Sequence, residues 1–287
     1  MALQLRVASI LPLFATVGLI VTTAADAFAA DVSPWDDDLR SAARLIAASS
    51  RHQGAGRVFR GGVHIKLRPG WKTYWRYPGD SGVPPTFDFA ASENVKSVTV
   101  LYPAPLRFDD GSGGTAIGYK GEVVLPLHVV PQDTNKPVTL RLKLDYAACE
   151  KLCVPAKAAL ALILTGEAGA QDTVVGAAEA RVPRTAAIGD AGTPAVRAVR
   201  RESAGGKPRI IVDVAAPAGG EVTLFAEGPT PDWALPVPEP IGGAEAGLQR
   251  FAFALDGLPK GATPEGALLR LTAVAAERAV EVAFRLD

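Results

Sequence analysis

Reactive and metal-binding side chains are scarce in this 287-residue chain, which has two cysteines, one methionine and three histidines. So small a set of soft ligands is a poor basis for a metal centre. Net charge is also missing, with 30 lysines plus arginines against 30 aspartates plus glutamates. That balance gives no electrostatic support to a nucleic-acid or polybasic membrane role. Beyond the N-terminus no stretch is apolar for long enough to span a bilayer. Sustained 3.6-residue periodicity is lacking as well, which argues against a helical protein.

What is present begins with a secretory signature. The apolar run Val7 to Val21 covers 15 residues, short of the roughly 20 that a transmembrane helix needs. It leads to Ala27-Phe28-Ala29, a small-residue cleavage site before Ala30. Residues 1–29 are therefore expected to be a cleaved signal peptide and the mature protein to be exported and soluble.

The mature chain reads as short strands punctuated by turns, in keeping with 29 glycines and 23 prolines. Strand-like runs recur at Arg57–Leu67, Trp71–Tyr77, Val95–Tyr102, Glu122–Val130, Pro137–Tyr146 and Val154–Leu164, a spacing that predicts a β-sandwich. In Val138 to Tyr146, Val138, Leu140, Leu142, Leu144 and Tyr146 alternate with Thr139, Arg141, Lys143 and Asp145, so one face is core and the other solvent. Signals conflict over Asp31–Ser50: Ser33-Pro34 and three aspartates resemble a helix start, yet Arg44-Leu45-Ile46 reads equally as an edge strand. Residues 169–194 break the pattern and are expected to be a linker, with a short helix over Thr173–Val182. A second set of runs, at Arg209–Ala215, Glu221–Ala226, Gln249–Leu255, Leu268–Ala275 and Ala279–Leu286, predicts another sandwich over 195–287. That section has no cysteine and no histidine, which suits support or docking. The expected fold is all-β, with a sandwich over 30–168 followed by the second.

Candidate chemistry centres on Cys149 and Cys153. In one continuous strand, residues four apart are separated by about 13 Å, whereas a disulfide needs Cα atoms within about 7 Å. The chain must turn, and a hairpin with loop Glu150-Lys151-Leu152 would set the two cysteines opposite each other. A permanent staple is one reading of the pair, usual for an exported protein with two cysteines. A loop of five residues, however, gives only about 2 kcal/mol on the chain-entropy model, and proximity equally suits a bond that opens and closes. A third reading, Cu(I) held by both cysteines with His64 or His128, finds too few soft ligands. No metal or other cofactor is expected.

Several motifs in one order then carry a resemblance. Gly70-Trp71-Lys72-Thr73-Tyr74-Trp75-Arg76, the run Pro78 to Pro85, Tyr102-Pro103-Ala104-Pro105, Gly118-Tyr119 with Val123 to Leu127, and Tyr146 to Pro155 together resemble the N-terminal periplasmic domain of DsbD, and more closely the ScsB proteins. The resemblance covers about Leu39 to Leu164. It implies an immunoglobulin-like sandwich that relays electrons by thiol–disulfide exchange, as a protein-disulfide reductase does. A DsbD-like membrane donor and periplasmic thioredoxin-fold proteins are the implied partners. Cys149 and Cys153 become the redox pair, with Cys153 the nucleophile and Cys149 the resolving partner.

Tyr146, Pro155, Phe108 and Tyr119 are the expected surroundings of that pair. The region matching the family's protective loop, Phe108 to Thr115, is glycine-rich, which leaves Phe108 or Tyr119 as the shielding aromatic. DsbD has a longer insertion between its cysteines. The membrane and thioredoxin-like domains that follow in DsbD are not found here, so a separate protein is expected to supply electrons. The rival expectation is a non-catalytic assembly module with a structural disulfide, linked by the ScsB resemblance to copper tolerance. Trp71 and Trp75 are expected on one strand face and Tyr74 on the other, with burial in the core favoured for the group. Asp109 and Asp110 beside Gly111 read as turn formers.

Overall fold

The computed structural model describes residues 30–287 except 55, 81, 111–112 and 205–206. The expected signal peptide lies outside the described residues. The first eleven strands are β1 (Asp36–Asp37), β2 (Ser41–Gln53), β3 (Gly56–Leu67), β4 (Lys72–Gly79), β5 (Thr86–Asp88), β6 (Val95–Val100), β7 (Leu106–Asp109), β8 (Thr115–Lys120), β9 (Glu122–Pro131), β10 (Val138–Cys149) and β11 (Cys153–Leu164). They form two antiparallel sheets, one in the order β1-β2-β3-β9-β6 and one in the order β11-β10-β4-β8-β7 with β5 beside β10. Side chains of both, among them Phe59, Trp75, Leu125, Leu140, Leu142 and Leu160, meet in a single core. The result is an immunoglobulin-like β-sandwich.

The alternation in β10 is what sets this packing. Val138, Leu140, Leu142, Leu144 and Tyr146 are buried, while Arg141, Lys143 and Asp145 are exposed. Its partner β11 does the same with Ala156, Ala158, Leu160, Leu162 and Leu164 inside. Burying each such leucine is worth about 1.5–3 kcal/mol, so a one-residue slip of register would forfeit the whole row.

The segment with conflicting signals proves to be strand. No helix starts at Ser33-Pro34. Instead the Asp38 carboxylate accepts the backbone N–H groups of Arg40 and Ser41 at 2.6 and 2.8 Å, a turn that launches β2. β2 spans 13 residues and lies between β1 and β3, so Arg44-Leu45-Ile46 sits in its middle.

After β11 come α1 (Asp172–Ala180), β12 (Arg184–Thr185), β13 (Ala195–Ala204), β14 (Lys207–Ala215), β15 (Thr223–Glu227), β16 (Glu239–Ile241), β17 (Leu248–Ala254), β18 (Leu268–Ala275) and β19 (Arg278–Arg285). Helix α1 packs Val175 and Ala178 inward, Val175 against Ile46 and Ala48 of β2. Its Glu179 receives a fork of hydrogen bonds from Arg60, with His128 and Arg51 on the same carboxylate. The remaining strands form sheets ordered β12-β19-β18-β15 and β13-β14-β17-β16. Ile210, Val212, Leu224, Phe253, Leu271 and Val282 fill the space between them, giving a second sandwich. No helix of the described residues is long and apolar enough to cross a membrane.

Candidate functional site

Cys149 ends β10 and Cys153 opens β11, directly opposite each other in the ladder. The two are disulfide-bonded, with Cα atoms 4.2 Å apart. Glu150, Lys151 and Leu152 make the connecting turn, and all three are exposed. Parity decides where the sulfurs point. Cys149 falls in register with Thr139, Arg141, Lys143 and Asp145, on the face turned away from the sandwich core. The disulfide is thus presented on the outer surface of the sheet.

That surface is not bare. Tyr74 of β4, Phe108 of β7, Ala116 of β8 and Ala147 of β10 gather around Cys149 in a small apolar cluster. Under this cover Cys149 is only 6% exposed, whereas Cys153 lies open to solvent. One bond therefore joins a shielded cysteine to an exposed one.

β4 is fixed beside the disulfide by the Thr73 hydroxyl, which donates to the Ala147 carbonyl at 2.9 Å, and by the pairing of Lys72 with Cys149. The next residue, Tyr74, points its hydroxyl at Cys153 Sγ, 2.9 Å away. Burial raises the Tyr74 phenol above its ordinary range, and the nearby Asp110 carboxylate raises it further. It stays protonated at neutral pH and donates its O–H to sulfur. A charge-assisted bond of this kind is stronger once the acceptor is a thiolate.

Phe108 is held from outside by the ammonium groups of Lys72 and Lys120, 4.9 and 5.0 Å from the ring centre. Lys72 also donates to the Asp109 carbonyl at 3.2 Å. At the tip of this hairpin the Asp110 carboxylate accepts the Gly114 N–H at 3.0 Å, and the Asp110 N–H is paired with the Gly114 carbonyl. Asp110 thus acts within a turn. Beside the disulfide lies a cavity of about 210 Å³ lined by Lys72, Tyr74, Phe108, Asp110 and the two cysteines. Small-molecule sites usually occupy about 300–1,000 Å³, so this space suits a single side chain of a partner better than a cofactor.

The structure brings together Cys149, Cys153 and Phe108, with Pro155 on the same outer face as Cys153, and turns Tyr119 and Tyr146 away into the core. Tyr119 points into the sandwich core and gives its hydroxyl to the Pro103 carbonyl at 2.8 Å. Along β8, Ala116 faces the disulfide, so Tyr119, three residues on, has the opposite parity. Tyr146 is a core residue too, its hydroxyl 2.7 Å from that of Ser41. Pro155 is exposed, opposite Ala147 on the edge strand. His64 packs against Trp35 with Glu122 near its ring, and His128 is bonded to Glu179. Both histidines sit on the opposite sheet from the cysteines. Tyr74, Lys72, Lys120 and Ala116 were not foreseen as site residues. The placement of Tyr74 opposite Trp71 and Trp75 was the available signal, and Trp75 is indeed fully buried in the core.

Comparison with known proteins agrees with this geometry. Residues 42–165 match the family model of the thiol:disulfide interchange protein DsbD, N-terminal. Among solved structures, the N-terminal periplasmic domain of ScsB from Proteus mirabilis aligns with a TM-score of 0.68 at 21% sequence identity. That alignment covers 88% of this chain and 97% of the ScsB domain, so the shared fold extends beyond the first sandwich. No curated protein sequence matches the chain.

Proposed function

We propose, from the premise that residues 42–165 belong to the DsbD N-terminal domain family and are ScsB-like, that Cys149 and Cys153 form a reversible dithiol/disulfide relaying electrons between other thiol proteins. The observation that carries this reading is the asymmetry of the pair. Cys153 is exposed and receives a hydrogen bond from Tyr74, while Cys149 is covered. An incoming thiolate meets Cys153 first. In the reduced protein the same sulfur is the one that reaches a partner.

The exchange runs in two displacements. The Cys153 thiolate attacks a partner disulfide, forming a mixed disulfide and releasing one partner thiolate. The Cys149 thiolate then attacks the Cys153 sulfur, closing the intramolecular bond and releasing the second partner thiolate. Two electrons pass to the partner, and this protein is left oxidised. Tyr74 holds charge on Cys153 by donating to it. Phe108 keeps bulky thiols from Cys149, so that the resolving sulfur is reserved for the intramolecular step.

The setting we propose is the periplasm, after removal of residues 1–29. There a DsbD-like membrane protein would re-reduce the pair, and periplasmic thioredoxin-fold proteins would receive the electrons. The redox unit spans residues 30–168, with 169–194 connecting it to the sandwich of 195–287. The test is covalent trapping: Cys149→Ala should accumulate a mixed disulfide through Cys153 with an oxidised thioredoxin-fold protein, seen by non-reducing electrophoresis and peptide mass. If Cys153→Ala traps through Cys149 instead, the proposed order of the cysteines is overturned.

A further inference from the structure

The second sandwich contains no cysteine or histidine, so it brings neither a thiol nor an imidazole to the exchange. β4 supplies a connection. Its ladder to β8 breaks after Tyr74 opposite Gly118 and resumes only at Gly79 opposite Ala116. Its pairing to β10 is confined to Lys72 opposite Cys149. Trp75, Arg76, Tyr77 and Pro78 therefore leave the ladders of their own sheet.

Three of them also reach the second sandwich, although Trp75 and Tyr77 remain packed in the core of the first. The Trp75 ring meets Phe225 with centroids 5.8 Å apart. Arg76 grips the Glu227 carboxylate with a two-pronged fork at 2.7 and 2.8 Å, and donates to Glu281 as well. The Tyr77 hydroxyl accepts the Leu235 N–H at 2.9 Å. The Glu227 side chain is 6% exposed, so solvent screens this fork weakly, and its planar geometry fixes the direction as well as the distance of Arg76.

Tyr74 is the residue immediately before these anchors. The same segment then folds back over it: Gly82 lies so close that a Cβ there would stand 2.5 Å from the Tyr74 ring, with Pro78 beside it. The phenol is thus followed by a stretch of chain whose polar attachments, through Arg76 and Tyr77, are to the other sandwich, while Trp75 stays in the core of its own.

We propose that the second sandwich positions the Tyr74 hydroxyl on Cys153 through Arg76, which acts as a positioning residue held by Glu227 and Glu281. This inference rests on the reading of Cys153 as the exchanging sulfur. Loosening the fork frees the bulged segment, the phenol loses its fixed approach to sulfur, and the Cys153 thiolate forfeits a donor. The second sandwich thereby governs how readily the first one ionises its nucleophile.

The test uses the full chain carrying Cys149→Ala, so that Cys153 is the single thiol, and follows its alkylation by iodoacetamide against pH. Thermal unfolding of each variant is recorded alongside. Tyr74→Phe is expected to slow alkylation at neutral pH about tenfold, by the loss of one charge-assisted hydrogen bond to the thiolate. Arg76→Met is expected to slow it about threefold or more, and the two together no further than Tyr74→Phe alone, since coupled residues do not add. Arg181→Ala removes an exposed pair to Glu277 that ties the connecting segment after α1 to the second sandwich away from β4, and should leave the profile unchanged.

An Arg76→Met profile identical to the parent, with only the unfolding temperature lowered, overturns the proposal. Losses that add in full to those of Tyr74→Phe overturn it too. Should Arg76→Met fail to fold, Tyr77→Phe and Glu281→Gln are judged by the same criterion. Absence of exchange with partner disulfides would sink the proposed function separately, because alkylation reads the coupling whether or not a partner is ever reduced.

Discussion

Removing the Phe108 ring should convert the asymmetric pair into a nearly symmetric one. Cys149 is 6% exposed because four side chains cover it, and two of them, Ala116 and Ala147, are too small to do so alone. In Phe108→Ala the outer wall of the 210 Å³ cavity is lost, and the Cys149 sulfur opens to solvent on the side where Lys72 and Lys120 now stack. A Phe→Ala change in a closed core costs about 3–5 kcal/mol. Here one side of the ring borders a cavity and so has less packing to forfeit, while two cation–π interactions of about 0.5–1 kcal/mol each also go. A loss near 2–3 kcal/mol is expected, read as a lower urea midpoint at unchanged slope. The chemical readout is the ratio of Cys149 to Cys153 labelling when the reduced protein is briefly alkylated. That ratio should rise several-fold toward equality, and mixed disulfides with glutathione should appear on both cysteines. Labelling still confined to Cys153, with stability reduced as expected, would refute the role given to Phe108 as the cover of the resolving sulfur.

Two further predictions concern the frame around the site. Burial alone would raise the Glu179 carboxyl, but hydrogen bonds from Arg60 and His128 and the charges of Arg60 and Arg51 outweigh it and hold the group below its ordinary value of 4.5. The folded state therefore prefers the ionised form, so this contribution is complete above that value and fades as the pH falls through the lower folded one. Amide exchange in α1 should accelerate relative to β3 on acidification toward about pH 3; equal protection throughout would contradict the attachment. Gly118→Ala should abolish folding or cost more than about 4 kcal/mol, because a Cβ there would stand 1.9 Å from the Thr73 carbonyl oxygen. Circular dichroism and urea unfolding would expose a variant that tolerates the methyl group.

Much of the architecture around the disulfide is legible in the residues themselves. The alternation of Val138 to Tyr146 fixes the core face of β10, and carrying the same parity on to residue 149 puts the cysteine outside the core. The separation of four residues then requires a hairpin, which the ladder of Cys149 opposite Cys153 realises. Less of β2 could be read, because both its faces are covered: Ala43 and Leu45 by the core, Ile46 and Ala48 by Val175 of α1. Two-sided burial erases the alternation that betrays a strand. β7 and β8 are hidden by the glycines at 111, 113, 114 and 118, of which Gly118 is required by the close approach of β4.

The site was foreseen in part for a related reason. Cys149, Cys153 and Phe108 sit in one recognisable order, but which of several buried tyrosines faces the sulfur depends on which strands flank the cysteine hairpin, a pairing set by residues distant in sequence. Tyr119 and Tyr146 carry the right side chain on the wrong face. The link from Arg76 to Glu227 and Glu281 crosses 151 and 205 residues of sequence, and nothing local to any of the three marks it.

The central claim is that the bond between Cys149 and Cys153 opens and closes in use. Its reduction potential, measured by equilibrating the protein with both sandwiches present in glutathione and dithiothreitol buffers and quenching with acid, tests this most directly. A reversible relay predicts a value above about −300 mV, within the range spanned by thioredoxin-like carriers and disulfide oxidants. A value well below about −300 mV, where structural disulfides lie, would mark the pair as a staple and contradict the account.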